Sequence, residues 1–507
     1  MSITIDSFLP LALVLLPASF GALIFALPEG MRLLRRAFLA LGAAATFALA
    51  DFVAGQSLEF TRAWALWGMD FSLKLTAQSG ALVVAASAVA FFLAIYASVT
   101  KAHAENSRLF DGSLLMALAL AIGALTANNM IAMLFFWQAM WAPMFGMIKS
   151  GGEDAWRASV RAIFTAGFTD LCMILGMAFA GYAAESMTMD AMHVPMNALG
   201  TAGFLLMSVG VVAKLGVIPF HGWIYKASKA APAPFMALVP GALNLLMGAN
   251  LLSKFPGMFE MGREAWPLLL VLVTGAGTVL VSGMLSLTAG DYKKLAIALT
   301  LAQGGALVLG ASSSAGGVFA YAAIAAAAAG CALFLTADVL DGAPERKSPF
   351  AVGAYYAAAL VAVAVAFAGA IYRIALQDGI LGLILSLVSL VGAIFAGVGA
   401  VSFARHTVLM KSSEVKDEPT TEMDGALAWL ETTHCDPYPI ARTVFRFYAN
   451  VSLKVNDAIS WFYDVAVVWF VGALSSLVKR AHNGSQSRYV LWVLLGVVIV
   501  IAIFALS

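Results

Sequence analysis

The chain has 507 residues, 62% of them hydrophobic and 11% charged, with 29 Lys and Arg against 28 Asp and Glu. A soluble domain carries about 25% charged residues, so too little polarity is present to cover a soluble surface of this size, and the charge balance offers no field to an anionic partner. A soluble enzyme, a disordered chain and a nucleic-acid binder are excluded, which leaves an all-α polytopic membrane protein.

A hydrocarbon core about 30 Å thick needs about 20 apolar residues in helix. Runs of that kind predict helices at 8–28, 36–55, 79–99, 112–128, 130–148, 158–182, 201–231, 233–253, 266–288, 294–311, 315–337, 350–375, 379–404 and 489–506. Their length excludes a membrane β-barrel, whose strands are about ten residues of alternating pattern. The expected organisation is three leading helices in 1–111, a group of five in 112–254 and a second group of five in 255–404. Residues 405–454, the one long polar stretch, read as a linker. Residues 455–480 read as a helix lying along the membrane surface, because a spanning helix would place Lys479, Arg480 and Arg488 outside. The run 489–506 then anchors the chain alone, giving fourteen spans rather than fifteen.

Lys and Arg in the connections set the expected orientation. Segment 183–200 holds Glu185 and Asp190 but no Lys or Arg. Arg32, Arg35 and Arg36, Lys149 and Arg157, and Lys293 and Lys294 gather on the opposite side. That side, with linker 405–454, is expected to face the cytoplasm from a cell inner (plasma) membrane, with the N-terminus outside.

An ionisable residue inside a bilayer costs at least a few kcal/mol and faces the bundle interior or water. Asp170, Lys214 and Arg373 fall in the sixth, seventh and twelfth expected helices. A charged path across the membrane is the functional reading; ion pairing between helices, for example Asp170 with Lys214, is the structural one. The seventh helix says more. Pro219 follows Lys214 by five residues, His221 comes next, and Pro232 and Pro234 close the segment. Proline removes a backbone donor and breaks a helix. Membrane proteins tolerate such breaks where the freed groups line a cavity or an ion site. A plain proline kink is the simpler alternative.

No CxxC, Cys/His cluster, dinucleotide-binding glycine motif or Walker loop is present, so no cofactor, no metal and no redox centre is expected in this chain. Any oxidoreductase activity would belong to an assembly of which this is a subunit.

The segment AKLGVIPFHGWIYKASKAAPAPFMAL resembles the broken seventh helix of the antiporter-like subunits shared by complex I, membrane-bound hydrogenases and Mrp-type cation/proton antiporters. LFFWQAMWAPMFGMI looks like the fifth helix of that family, RAIFTAGFTDLCMILG like its sixth, and DYKKLAIALTLAQGGALVLG like its tenth with the segment before it. HNGSQSRYVLWVLLG is similar to the tail of the largest complex I antiporter-like subunit. The resemblance implies two inverted five-helix repeats, each with a broken helix, and a mid-membrane line of charged residues that relays protons. Lys214 then stands at the exchanging lysine and Asp170 at the acidic residue of helix six. Gln138 replaces a glutamate, Pro240 falls at the helix-eight histidine of some members, and Ala326 and Gly330 replace a histidine and a lysine. Arg373 stands where a lysine is frequent. Glutamine, alanine and glycine cannot exchange protons, and arginine stays protonated.

The function expected from the resemblance is a proton-translocating membrane subunit of a complex I-like NADH:quinone oxidoreductase or a hydrogenase-like assembly. Lys214 would exchange protons, Asp170 would modulate it, Gln138 would be a polar relay holding water, Arg373 would act as an electrostatic gate, and His221 would belong to the same proton path. Expected partners are other membrane subunits, a peripheral redox module and the lipid bilayer, with no nucleic acid. Two alternatives stand: a degenerate, non-pumping scaffold, and a component of an Mrp-type antiporter or an ion-driven inorganic-carbon uptake unit.

Overall fold

The computed structural model describes residues 5–409 except 29, 64–69, 100–106, 153–154, 261–265, 311–315, 343–347 and 376–378, and also residues 443, 454, 465, 469, 472, 473 and 476. The chain forms two units, Met1–Pro439 and Ile440–Ser507, and every helix named below belongs to the first. The surface helix expected at 455–480 and the anchor expected at 489–506 lie outside the described residues, apart from those single positions. So does most of linker 405–454, whose start, Arg405–Leu409, is a π-turn continuing the last helix of the bundle.

Helices α1 (Leu9–Ala26), α2 (Arg32–Val53), α3 (Ala77–Val99) and α4 (Ser107–Thr126) open the bundle. Helix α2 begins four residues earlier than expected. Arg35 therefore lies inside it, buried, donating to the Pro28 carbonyl at 2.8 Å and to Ser107 Oγ at 3.1 Å. Between α2 and α3 the apolar-run reading saw only a loop. The chain there forms an antiparallel hairpin of β1 (Leu58–Ala63) and β2 (Asp70–Leu75), with Leu58 opposite Leu75 and Phe60 opposite Leu73. Leu73 and Leu75 alternate inward and are fully buried, which is how a two-stranded ribbon too small to stand alone becomes stable. Lys74 points outward and pairs with Asp190, fastening the hairpin to segment 186–196. The hydrogen bond and charge of that carboxylate hold the Lys74 ammonium above the ordinary lysine range.

The next four spans are α5 (Met130–Ala139) with α6 (Trp141–Lys149), α7 (Ala155–Ala184), α8 (Ala198–Lys214) with α9 (Gly222–Ala230), and α10 (Ala233–Leu238) with α11 (Asn244–Met258). Pro232 caps α10 and Pro234 sits in its first turn. Proline is pre-organised there and loses no hydrogen bond, so this pair starts a helix rather than breaking one. A π-turn, Val239–Leu243, joins α10 to α11. This span lies wholly inside the bundle.

Helices α12 (Trp266–Leu287), α13 (Tyr292–Gly310), α14 (Gly316–Gly342), α15 (Pro349–Ala375) and α16 (Gly379–Ala404) complete it. α12 and α16 approach closely because small residues face each other: a Cβ on Gly392 would meet the Val279 carbonyl, and Ser286 Oγ donates to Phe395 O at 3.1 Å. Among the described residues, 12 helices are long and apolar enough to cross a membrane, beside the shorter α8. With the broken α8–α9 they account for thirteen of the expected spans. The chain is a multi-pass membrane protein.

Candidate functional site

The break in the seventh span is made by glycine before proline acts. Helix α8 stops at Lys214, and Gly216 follows in the left-handed region at φ 73°. The Val217 N–H reaches Val212 O at 3.0 Å and the Gly216 N–H reaches Ala213 O at 3.1 Å. This pair of bonds is the Schellman arrangement that closes a helix C-terminus. Pro219 lies in the unwound stretch beyond it and keeps the helix from resuming until Gly222. The sequence reading credited Pro219 with the break; the stop belongs to Gly216. One freed donor, the Ile218 N–H, is taken by Thr278 Oγ1 of α12 at 3.1 Å.

Lys214 is thus the last residue of a half-helix, where the negative end of the helix dipole favours a cation. It is partly buried. Its ammonium donates to the Trp137 carbonyl at 3.3 Å and lies 4.9 Å from the centre of the Trp137 ring. That carbonyl is two residues before Ala139, where α5 gives way to α6 around Met140.

Asp170, buried on α7, shares a cavity of ≈ 20 Å³ with Lys214. Thr165, Thr169, Trp223 and Asn244 also line it. The volume suits about one water molecule. No direct ion pair joins Asp170 to Lys214 among the described residues. Asn244 is 2% exposed, and its Oδ1 has no hydrogen-bond partner. A buried acceptor without a partner is expected to hold water.

The structure brings Lys214 and Asp170 together and leaves the other expected residues apart from them. Gln138 directly follows Trp137, and its Nε2 is buried without a hydrogen-bond partner. His221 is buried at the start of α9. Arg373 is buried in the last turn of α15. Neither lines the Lys214 cavity.

Sequence reasoning missed Asn244, Thr165, Thr169 and Trp223. It also missed Gln303, fully buried on α13 with neither side-chain polar atom paired. Gln303 adjoins Gly304, where a Cβ would strike the Leu215 carbonyl of the unwound stretch. Ala326 is fully buried. A Cβ on Gly330 would collide with the Gly241 carbonyl of the π-turn, so α14 packs there backbone to backbone and leaves no room for a side chain. α15 is one continuous helix from Pro349 to Ala375, and among the described residues none of α12 to α16 is broken as α8–α9 is.

Residues 127–340 match the family model described as NADH:quinone oxidoreductase/Mrp antiporter, transmembrane. That match covers less than half of the chain. The NADH-ubiquinone oxidoreductase chain 5 of Pseudosoriculus fumidus is 28% identical over 209 residues, covering 40% of this chain and 34% of that one. The chain spans between 25% and 51% of the length of the curated relatives it matches. Among solved structures, respiratory complex I from Thermus thermophilus with bound NADH contains a chain similar in fold at TM-score 0.64 and 20% identity, covering 86% of this chain and 98% of that one. The Mrp complex from Dietzia sp. contains another, at TM-score 0.68 and 18% identity, covering 82% and 83%. The matched residues include both Asp170 and Lys214 and end before Arg373.

Proposed function

We propose that the chain is a proton-conducting, antiporter-like membrane subunit of a complex I-like or hydrogenase-like assembly, conducting through one half-channel centred on Lys214. The observation that carries this reading is a lysine ending a broken half-helix across a water-sized cavity from a buried carboxylate. An amine held by a main-chain carbonyl and an aromatic face has donors to spare for a water. Asp170, without a direct ion pair to Lys214, can take a proton from that water and return it. Asn244, on the same cavity, and Gln303 are buried amides with unpaired polar atoms. They can hold a water chain but cannot themselves store a proton.

Other membrane subunits of the same complex are the partners this reading implies, with a peripheral redox module supplying the driving force. In the inner membrane the 183–200 segment would face outward and Lys293 and Lys294 the cytoplasm, on the charge rule. The non-pumping scaffold is favoured by one observation, the backbone contact of Gly330 with Gly241 on the line of the expected relay.

Proton uptake by vesicles reconstituted with the tagged, assembled complex separates the two. Lys214→Ala abolishes uptake while the complex still assembles, if the half-channel conducts. Wild-type uptake from the alanine variant would make the chain a scaffold.

A further inference from the structure

Helices α7 and α9 meet again at the end of the bundle opposite segment 183–200, and there they enclose a second, larger cleft of ≈ 400 Å³. Among the described residues its charged lining side chains are cations: Arg157 and Arg161 from α7, Lys226 and Lys229 from α9. The two lysines fold over the ring of Tyr225, with their ammonium groups 5.8 and 4.5 Å from its centre, which restrains them toward the cleft. Trp156, 53% exposed, forms one wall. It lies in the first turn of a spanning helix, at the depth where tryptophan marks the boundary between hydrocarbon and headgroups. Above Trp156 the outer face of α7 is apolar, with Val160, Ile163 and Phe164 partly exposed and Leu171, Ile174 and Leu175 exposed further along.

We propose that this cleft binds the phosphodiester headgroup of an anionic phospholipid, with the acyl chains lying along the apolar strip of α7. Four cations converging on a pocket between membrane helices suit phosphate oxygens, and an arginine fork engages two such oxygens at once. The volume falls in the range of small-ligand sites. A soluble anion would need no tryptophan at the rim and no apolar strip leading away from it; a lipid uses both.

The site has a direct line to Lys214. Thr165 Oγ1 donates to the Arg161 carbonyl and Thr169 Oγ1 to that of Thr165, each at 3.1 Å, and both threonines line the Lys214 cavity. Trp223, three residues before Lys226, lines it too. A bound headgroup therefore brings negative charge to turns of two of the helices that line the cavity, α7 and α9.

Full-length protein in neutral detergent, titrated with dioleoyl phosphatidylglycerol or dioleoyl phosphatidylcholine, tests this by native mass spectrometry. The expected result is one phosphatidylglycerol retained about tenfold more tightly than phosphatidylcholine and not displaced by inorganic phosphate. The variant Arg161→Gln/Lys226→Gln loses that preference, and Lys226→Arg keeps it. Equal retention of the two lipids by the wild-type protein overturns the proposal without recourse to any variant. Displacement by inorganic phosphate overturns it as well, making the cleft a site for free anions.

Discussion

An ammonium 3.3 Å from a main-chain carbonyl, with no carboxylate in direct contact, is held by dipoles rather than by a counter-ion. Dipoles release a proton more readily than a fixed opposite charge does, because an ion pair must be separated as the proton leaves. Gln138 adds no second carboxylate beside Trp137 to that of Asp170. We therefore expect Gln138→Glu to slow proton uptake by about tenfold, read in vesicles beside the wild-type complex. Faster uptake would mean that Gln138 is a degraded relay. Lys214 and Asp170 were legible in the sequence because charges in apolar helices are rare and costly. Asn244, Thr165, Thr169 and Gln303 were not, since neutral polar residues inside apolar runs carry no comparable cost and no spacing marks them. The Trp137 carbonyl is main chain, and no residue type announces it.

Helix extents followed from the apolar runs, because a bilayer demands about the same length of every span. What the runs could not show is where a span stops being helical. Proline is the visible breaker, and it drew attention to Pro219, while the Schellman stop depends on Gly216 in a helix already containing Gly203 and Gly210. The β1–β2 hairpin escaped notice because six-residue strands between two long apolar helices lack the length of a run, though Phe71, Leu73 and Leu75 do alternate. Gly330 belongs to this scale as well. Read as a lost lysine it looks like a damaged relay, whereas its place against Gly241 makes it a packing surface. Gly330→Ala should lower the stability of the detergent-solubilised protein by about 1–3 kcal/mol, as overpacking does, seen as a lower melting temperature. Gly277→Ala on α12, where a Cβ meets nothing within 4 Å, should leave the melting temperature unchanged or raise it, since alanine is the better helix former. A similar loss at both positions would refute the packing account.

The whole molecule is asymmetric where its fold suggests symmetry. One group of five spans includes a broken helix with a lysine at its stop, and the other includes the continuous α15 with an arginine in its last turn. The resemblance implied a break in each half; α15 has no proline after Pro349 at its start, and it runs unbroken to Ala375. Water and ions reach mid-membrane backbone only where a helix is interrupted or a cavity opens. The account therefore places proton exchange in the first half alone, at Lys214. The most direct test keeps the positive charge and removes the exchange. Lys214→Arg preserves a cation at the end of α8, able to donate to the Trp137 carbonyl, yet arginine does not give up its proton in a protein. Uptake by vesicles holding the assembled complex should fall to the background of protein-free vesicles, while assembly and melting temperature stay near wild type. Uptake at the wild-type rate from the arginine variant would contradict the account, because a fixed charge would then be all that the position supplies.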